Sequence, residues 1–257
     1  GRFAAPGAAS SLQGMTRDHI ALKDDGSVKR IAGYTAPSKE NLHISMLAVV
    51  LDGASPVAWN FLIDSLPDGV KAEERGLSTL ELKALAEAEA LRRLENIIGE
   101  YERWRQMCPG CGGFMNWIWV GDEGWIEQPG NKVKAVPGLD NGQMVWSLIA
   151  AAQVLKEKGH MDLAARFQQH IDEMAEAVST LFIGPSQKRS AARVNIKEKT
   201  EAVGAGVIAQ KGMLRDPFEG ELMIMFQDLL GHGVTDKAKE KLWKKVRRGV
   251  LRKEYTG

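Results

Sequence analysis

Ser78-Thr79-Leu80-Glu81-Leu82-Lys83-Ala84-Leu85-Ala86-Glu87-Ala88-Glu89-Ala90-Leu91 opens the segment whose reading decides the fold. Ser78 with Glu81 three residues later is a capping-box pair, each side chain taking a backbone N–H that a helix start leaves unbonded. Ala, Leu and Glu, all strong helix formers, dominate from there to about Gln106. Leu80, Ala84, Ala88, Leu91, Leu94, Ile98 and Tyr101 recur at intervals of three and four, which predicts one long helix packing a single stripe.

The same signals continue on both sides. Upstream, Ser38 stands at an N-cap position before Leu42, Met46, Leu47, Val49 and Val50, and Gly53 marks the end of that helix. Downstream, Asp140 opens a helix with Met144, Leu148, Ala151, Ala152 and Leu155 in register, stopping at Lys158-Gly159. Asp162 starts a further amphipathic helix to about Phe182, which makes a helix hairpin. Helices are also expected from Asp216 and from Thr235. Residues 1–37, rich in Gly, Ala and Ser, read as an irregular lead-in. Residues 186–212 read as a long basic, Gly-rich loop, and no segment shows sustained strand alternation. The class is all-α: about six helices in successive hairpins, the pattern of a toroidal helical barrel, without the fixed period of a solenoid.

Composition narrows the function. Of 257 residues, 44% are hydrophobic and 26% charged, the usage of a globular domain able to bury a real core. Thirty-four basic against 33 acidic residues leave +1, so no whole-chain field draws the protein to nucleic acid or anionic membrane. No apolar run approaches the roughly 18 residues of a membrane span. The basic stretch Lys237 to Lys253 reads as a solvated helix face with cations near its C-terminus, in preference to a nucleic-acid site. The first residues lack the layout of a signal peptide and leave location open, with a lean to secretion.

Four motifs carry candidate chemistry. Cys108-Pro109-Gly110-Cys111 has C-x-x-C spacing, but no βαβ pattern surrounds it and His19, His43, His160, His170 and His232 are scattered, so no metal or cofactor is expected. Gly112-Gly113-Phe114-Met115-Asn116-Trp117-Ile118-Trp119, followed by Trp125, combines aromatic faces, an amide and flexible backbone. That combination suits sugar rings, and core filling explains it equally well. Gly138-Leu139-Asp140-Asn141-Gly142-Gln143-Met144-Val145-Trp146 places three polar side chains at the mouth of an apolar helix. Asp140 alone would serve as a cap, but Asn141 and Gln143 are not needed for one.

The fourth motif is Asp216-Pro217-Phe218-Glu219-Gly220-Glu221. Pro217 fits the first helical position after an Asp216 cap, and Glu219 completes a capping box, which leaves Glu221 unexplained. With Phe218, Leu222, Met225, Phe226 and Leu229 taken as the apolar stripe, the two glutamates flank it on opposite sides. Desolvation beside such a wall favours the protonated carboxyl that a glycosidase acid must be.

Taken in order, Ser38-Lys39-Glu40, the Pro109-Gly110-x-Gly112-Gly113-Phe114 loop with Trp117, the Gly138 to Gln143 turn and Asp216 to Leu222 resemble the endo-β-1,2-glucanases. These are (α/α)6-barrel, inverting glycoside hydrolases that release sophoro-oligosaccharides. The resemblance runs from about Ser38 to Leu230. It implies a hydrolase domain over residues 38–257, a β-glucan polysaccharide or oligosaccharide as partner, and the general acid at Glu219 or Glu221. Asp140, Asn141 and Gln143 are expected to hold glucose hydroxyls, with Trp117 and Trp146 as stacking surfaces and Lys39 and Glu40 as further binding residues. Cys108 and Cys111 stand where the family's loop carries aromatic residues and look incidental. Inversion also requires a base on the other face of the sugar, and no residue here matches one. A six-hairpin barrel needs about twelve helices of average length, so the chain is expected to supply an incomplete, N-terminal half of the barrel and to be weakly active or inactive alone. The rival reading is a non-catalytic glucan-binding or scaffolding protein.

Overall fold

The computed structural model describes residues 14–121, 126, 134–183, 189–196, 202–205, 207–214 and 220–254. Among them seven α-helices dominate: α1 (Pro37–Asp52), α2 (Pro56–Ile63), α3 (Thr79–Met107), α4 (Gly138–Glu157), α5 (Met161–Phe182), α6 (Gly220–Leu229) and α7 (Asp236–Glu254). Three small sheets accompany them. β1 (Ile20–Leu22) pairs with β2 (Val28–Ile31), β3 (Tyr34–Thr35) with β4 (Ile118–Trp119), and β5 (Lys134–Pro137) with β6 (Arg193–Ile196), which in turn pairs with β7 (Val207–Lys211); every pairing is antiparallel.

The all-α reading holds, and its punctuation explains where helices start and stop. Ser78 and Glu81 form the expected capping box: the Ser78 N–H donates to Glu81 Oε2 at 2.8 Å and the Glu81 N–H to Ser78 Oγ at 3.4 Å. Gly53 ends α1 in the left-handed region at φ 81°, a conformation costly for other residues. Thr35, buried just before α1, and Ala36 leave its N-terminus without a side-chain cap, so Pro37 rather than Ser38 begins it. α2, which the sequence reading passed over, has its own signal: Ser55 accepts from the Ala58 N–H and Pro56 occupies the first turn. Thr235 caps α7 through the Ala238 N–H.

The structure corrects three sequence expectations. On α3 the buried face is Ala86, Ala90, Arg93, Leu94, Ile97, Ile98, Tyr101 and Trp104, while Leu80 is 75% exposed and Ala84 and Ala88 face solvent. An alanine-rich helix carries two overlapping three-and-four series, and small residues do not say which one packs. On α6 the buried positions are Gly220, Met223, Ile224, Phe226 and Gln227, with Leu229 exposed. The strands at residues 20–35 and the β6–β7 pair lie in stretches read as irregular or loop. They are two to five residues long, and partners distant in sequence hold them, so local alternation is too brief to register.

The described chain divides into two compact units: residues 1–102, 118–129 and 147–168, and residues 103–117, 130–146 and 169–257. Helices α3, α4 and α5 contribute residues to both. In the first unit Ile44, Leu47, Leu51, Leu62, Leu94 and Tyr101 are buried. In the second, Phe114 meets Phe182 edge-on with centroids 5.0 Å apart and Phe226 at 6.4 Å. No helix among the described residues is long and apolar enough to cross a membrane.

Candidate functional site

In the second unit the loop after α3 is fastened from several sides. Cys108 and Cys111 are both buried and joined by a disulfide, closing the turn through Pro109 and Gly110. Expected to be incidental, they cross-link the root of this loop, and both sulfurs are spent on each other. Gly112 follows with φ 53°, and a Cβ there would stand 2.2 Å from the Ala177 Cβ on α5. Only glycine lets the loop lie this close. The Trp104 indole N–H then donates to the Phe114 carbonyl at 3.0 Å, while the Phe114 ring enters the aromatic cluster.

Asn141 completes the fastening. It is fully buried; its Oδ1 accepts the Met115 N–H at 2.9 Å, and its Nδ2 donates to the Met115 and Pro137 carbonyls at 2.7 Å each. Expected to hold a glucose hydroxyl, Asn141 instead spends both ends of its amide on backbone and ties the loop to the first turn of α4. A buried amide with matched donor and acceptor thereby supplies both backbone groups of Met115.

The loop emerges at Trp117. Trp117 is 49% exposed, and its indole N–H donates to Asp140 Oδ2 at 3.0 Å. Asp140 and, three residues on in α4, Gln143 are half-buried. Trp146 is half-buried one turn on, its N–H donating to the Leu222 carbonyl at 3.0 Å. A Cβ on Gly142 would stand 2.7 Å from the Met223 backbone nitrogen. The starts of α4 and α6 therefore meet in backbone-to-backbone contact, which brings the turn bearing Glu221 against the turn bearing Asp140 and Gln143. Glu221 is half-buried in the first turn of α6. Glu219 and Trp125 lie outside the described residues.

Lys39 and Glu40 belong to the first unit. Lys39 is half-buried, and Glu40 is fully buried, accepting from the Thr16 N–H at 2.9 Å, Thr16 Oγ1 at 2.5 Å and Thr35 Oγ1 at 2.7 Å. Burial raises its carboxyl above the usual range, with the threonine hydrogen bonds opposing. Expected to bind sugar, Glu40 is fully buried and its Oε1 ties Thr16 and Thr35, ahead of α1, to that helix. A hollow of about 420 Å³ in the second unit, lined by Arg105, Gly113, Glu173, Glu176, Thr180 and Val203, carries no aromatic surface, and an Arg105–Glu173 ion pair spans it.

The arrangement is an exposed indole held by a carboxylate, with further polar side chains on adjoining helix starts. The family model described as endo-beta-1,2-glucanase SGL matches residues 15–257. The chain belongs to this family. Two solved structures of the endo-beta-1,2-glucanase from Talaromyces funiculosus are similar over 94% of this chain. One, a complex with sophorose, has a TM-score of 0.78 at 25% identity. The other, a mutant in complex with beta-1,2-glucan, has a TM-score of 0.77 at 24% identity. The chain spans 47% of that enzyme's length. No functionally curated protein matches it. The helix hairpins are thus those of an α/α-barrel glucanase.

Proposed function

We propose that the chain is a glycoside hydrolase of the endo-β-1,2-glucanase family that holds β-1,2-linked glucan on the face formed by Trp117, Asp140, Gln143 and Trp146. The observation that carries this reading is the Trp117–Asp140 pair: an aromatic ring half in solvent, with its one polar atom satisfied by a carboxylate, offers its flat face to a pyranose. The remaining Asp140 oxygen and the Gln143 amide would take ring hydroxyls. Asn141 supports this face from beneath.

The acid in this reading is Glu219 or Glu221, and the close approach of Gly142 to Met223, near the start of α6, supports a role for Glu221 near Asp140. Inversion proceeds by protonation of the leaving glycosidic oxygen while a base deprotonates water attacking the anomeric carbon from the opposite side. The two glutamates are two residues apart in sequence and do not divide those roles between them; the base is a separate group. Products would be sophoro-oligosaccharides of inverted anomeric configuration.

The test incubates the chain with linear β-1,2-glucan and with β-1,3- and β-1,4-glucans, for wild type, Glu219→Gln and Glu221→Gln. Release of sophoro-oligosaccharides that one of the two variants abolishes supports the reading. Turnover unaffected by both variants removes the acid assignment. Saturable binding with no turnover fits both a half-barrel that is inactive alone and the non-catalytic glucan-binding reading.

A further inference from the structure

We infer that Ser190 and Gln227 are positioning residues, a clip that sets the first turn of α6, and with it Glu221, against the start of α4. This deepens the acid reading above and rests on it. The Gln227 Nε2 donates to Ser190 Oγ at 2.7 Å across 37 residues of sequence. Both residues are buried, Gln227 completely. Ser190 belongs to the stretch 186–212 that reads as one long loop, and long loops inside a domain are often functional.

Three consecutive residues make the strut. The Ser190 carbonyl accepts the Leu214 N–H at 3.0 Å, just ahead of the Asp216 motif in sequence. The Ala191 N–H donates to the Phe182 carbonyl at the end of α5 at 2.8 Å, and the Ala192 carbonyl accepts the Gly138 N–H at the start of α4 at 2.8 Å. A Cβ on Gly138 would stand 2.8 Å from the Ala191 carbonyl oxygen, so the approach to α4 is as close as backbone allows. Backbone thus fixes the strut to the turn that carries Asp140, and the Ser190 hydroxyl carries that position across to α6. Gln227 lies five residues beyond Leu222, about 7.5 Å along the helix. At that end Met223 abuts Gly142 and the Leu222 carbonyl takes the Trp146 N–H. Packing alone does not account for the pair. The Gln227 Oε1 has no hydrogen-bond partner among the described residues, and a methionine would fill the space with no buried polar atom to satisfy. What the amide adds is a directional bond, which apolar contact cannot supply.

The experiment measures hydrogen exchange of the tryptophan indole N–H groups by NMR in the purified chain, for wild type, Ser190→Ala, Gln227→Met and the double variant. Urea unfolding of each and sophorose titration of the wild type accompany it. The Trp146 indole, bonded to the Leu222 carbonyl, reports the start of α6; the buried Trp104 indole, bonded to the Phe114 carbonyl, is the control. All three variants should exchange Trp146 roughly threefold to tenfold faster, the worth of one hydrogen bond, with Trp104 unchanged. The double variant should be no faster than either single one, because the two residues act through one bond. Its unfolding midpoint should match or exceed that of the wild type, since both polar partners have gone. Trp146 exchange at the wild-type rate overturns the clip and leaves the acid reading standing. Equal acceleration at Trp146 and Trp104 with a lowered midpoint is a loss of stability alone, and also overturns it. Failure of the wild type to bind sophorose overturns the reading beneath, and this inference with it.

Discussion

The indole N–H of Trp117 donates to Asp140 Oδ2 at 3.0 Å across 23 residues of sequence. That bond joins the cysteine-rooted loop to the start of α4 and fixes the plane of a ring that is half in solvent. Removing the ring and removing its anchor should therefore have different consequences. Trp117→Ala deletes the stacking surface and should weaken sophorose binding at least about tenfold, near 1.4 kcal/mol. Asp140→Ala leaves the ring in place but free to rotate, so its loss should be smaller and mainly entropic, readable by calorimetry. Both are surface changes, and unfolding free energy should move by no more than about 1 kcal/mol.

Gly142 has no room for a side chain. A Cβ there meets the Met223 backbone nitrogen at 2.7 Å and the Met223 Cβ at 2.8 Å. Gly142→Ala must push α4 and α6 apart, an overpacking cost of about 1–3 kcal/mol in urea unfolding. The same displacement moves the Glu221 turn away from Asp140, so activity should fall more than stability alone explains. An alanine variant as stable and active as wild type would remove this contact from the account.

Glu40 makes a prediction of opposite sign to the usual acidic residue. Burial raises its carboxyl above the unfolded value, so its contribution to stability is full at low pH and is lost as pH rises through the raised value. Glu40→Gln keeps an acceptor for Thr16 and Thr35 without the charge. The variant should gain on wild type in melting temperature as pH is raised from 4 to 8, measured by calorimetry. A constant difference across that range would contradict it.

His43 and His170 act in the other direction. Burial depresses both to about 3, helped by Arg93 near His43 and by Arg105 near His170. Each is neutral in the folded protein at pH 7, and stability is lost as pH falls from about 6.5 toward 3. The slope approaches about 1.4 kcal/mol per pH unit for each histidine. His170→Gln should flatten the acid limb of the stability profile by one proton's worth. An unchanged slope would show that His170 is not the group taking up the proton.

Much of this was legible in the residues. The Ser78–Glu81 pair, Thr235, Gly53 and Gly159 marked the starts of α3 and α7 and the ends of α1 and α4 because they report backbone chemistry that acts within four residues. The packing faces were harder: Leu80-Ala84-Ala88 and Ala86-Ala90-Leu94 are equally periodic, and only neighbours distant in sequence decide which is buried. The strands escaped for the same reason. Trp117, Asp140 and Gln143 could be chosen as candidate site residues by type, but the bond that pairs Trp117 with Asp140 could not be foreseen. Asn141 shows the converse. A polar side chain at a helix mouth looks the same in sequence whether it faces a ligand or holds a loop, and its three backbone bonds assign it to the loop.

The central claim is that a β-1,2-linked glucan lies on the Trp117–Asp140 face, and calorimetric titration of the chain with sophoro-oligosaccharides tests it most directly. The account predicts saturable binding of the β-1,2-linked series, lost in Trp117→Ala, with cello- and laminari-oligosaccharides of equal length binding at least about tenfold more weakly. Equal affinity for all three linkages, or sophoro-oligosaccharide binding that survives Trp117→Ala, would contradict it.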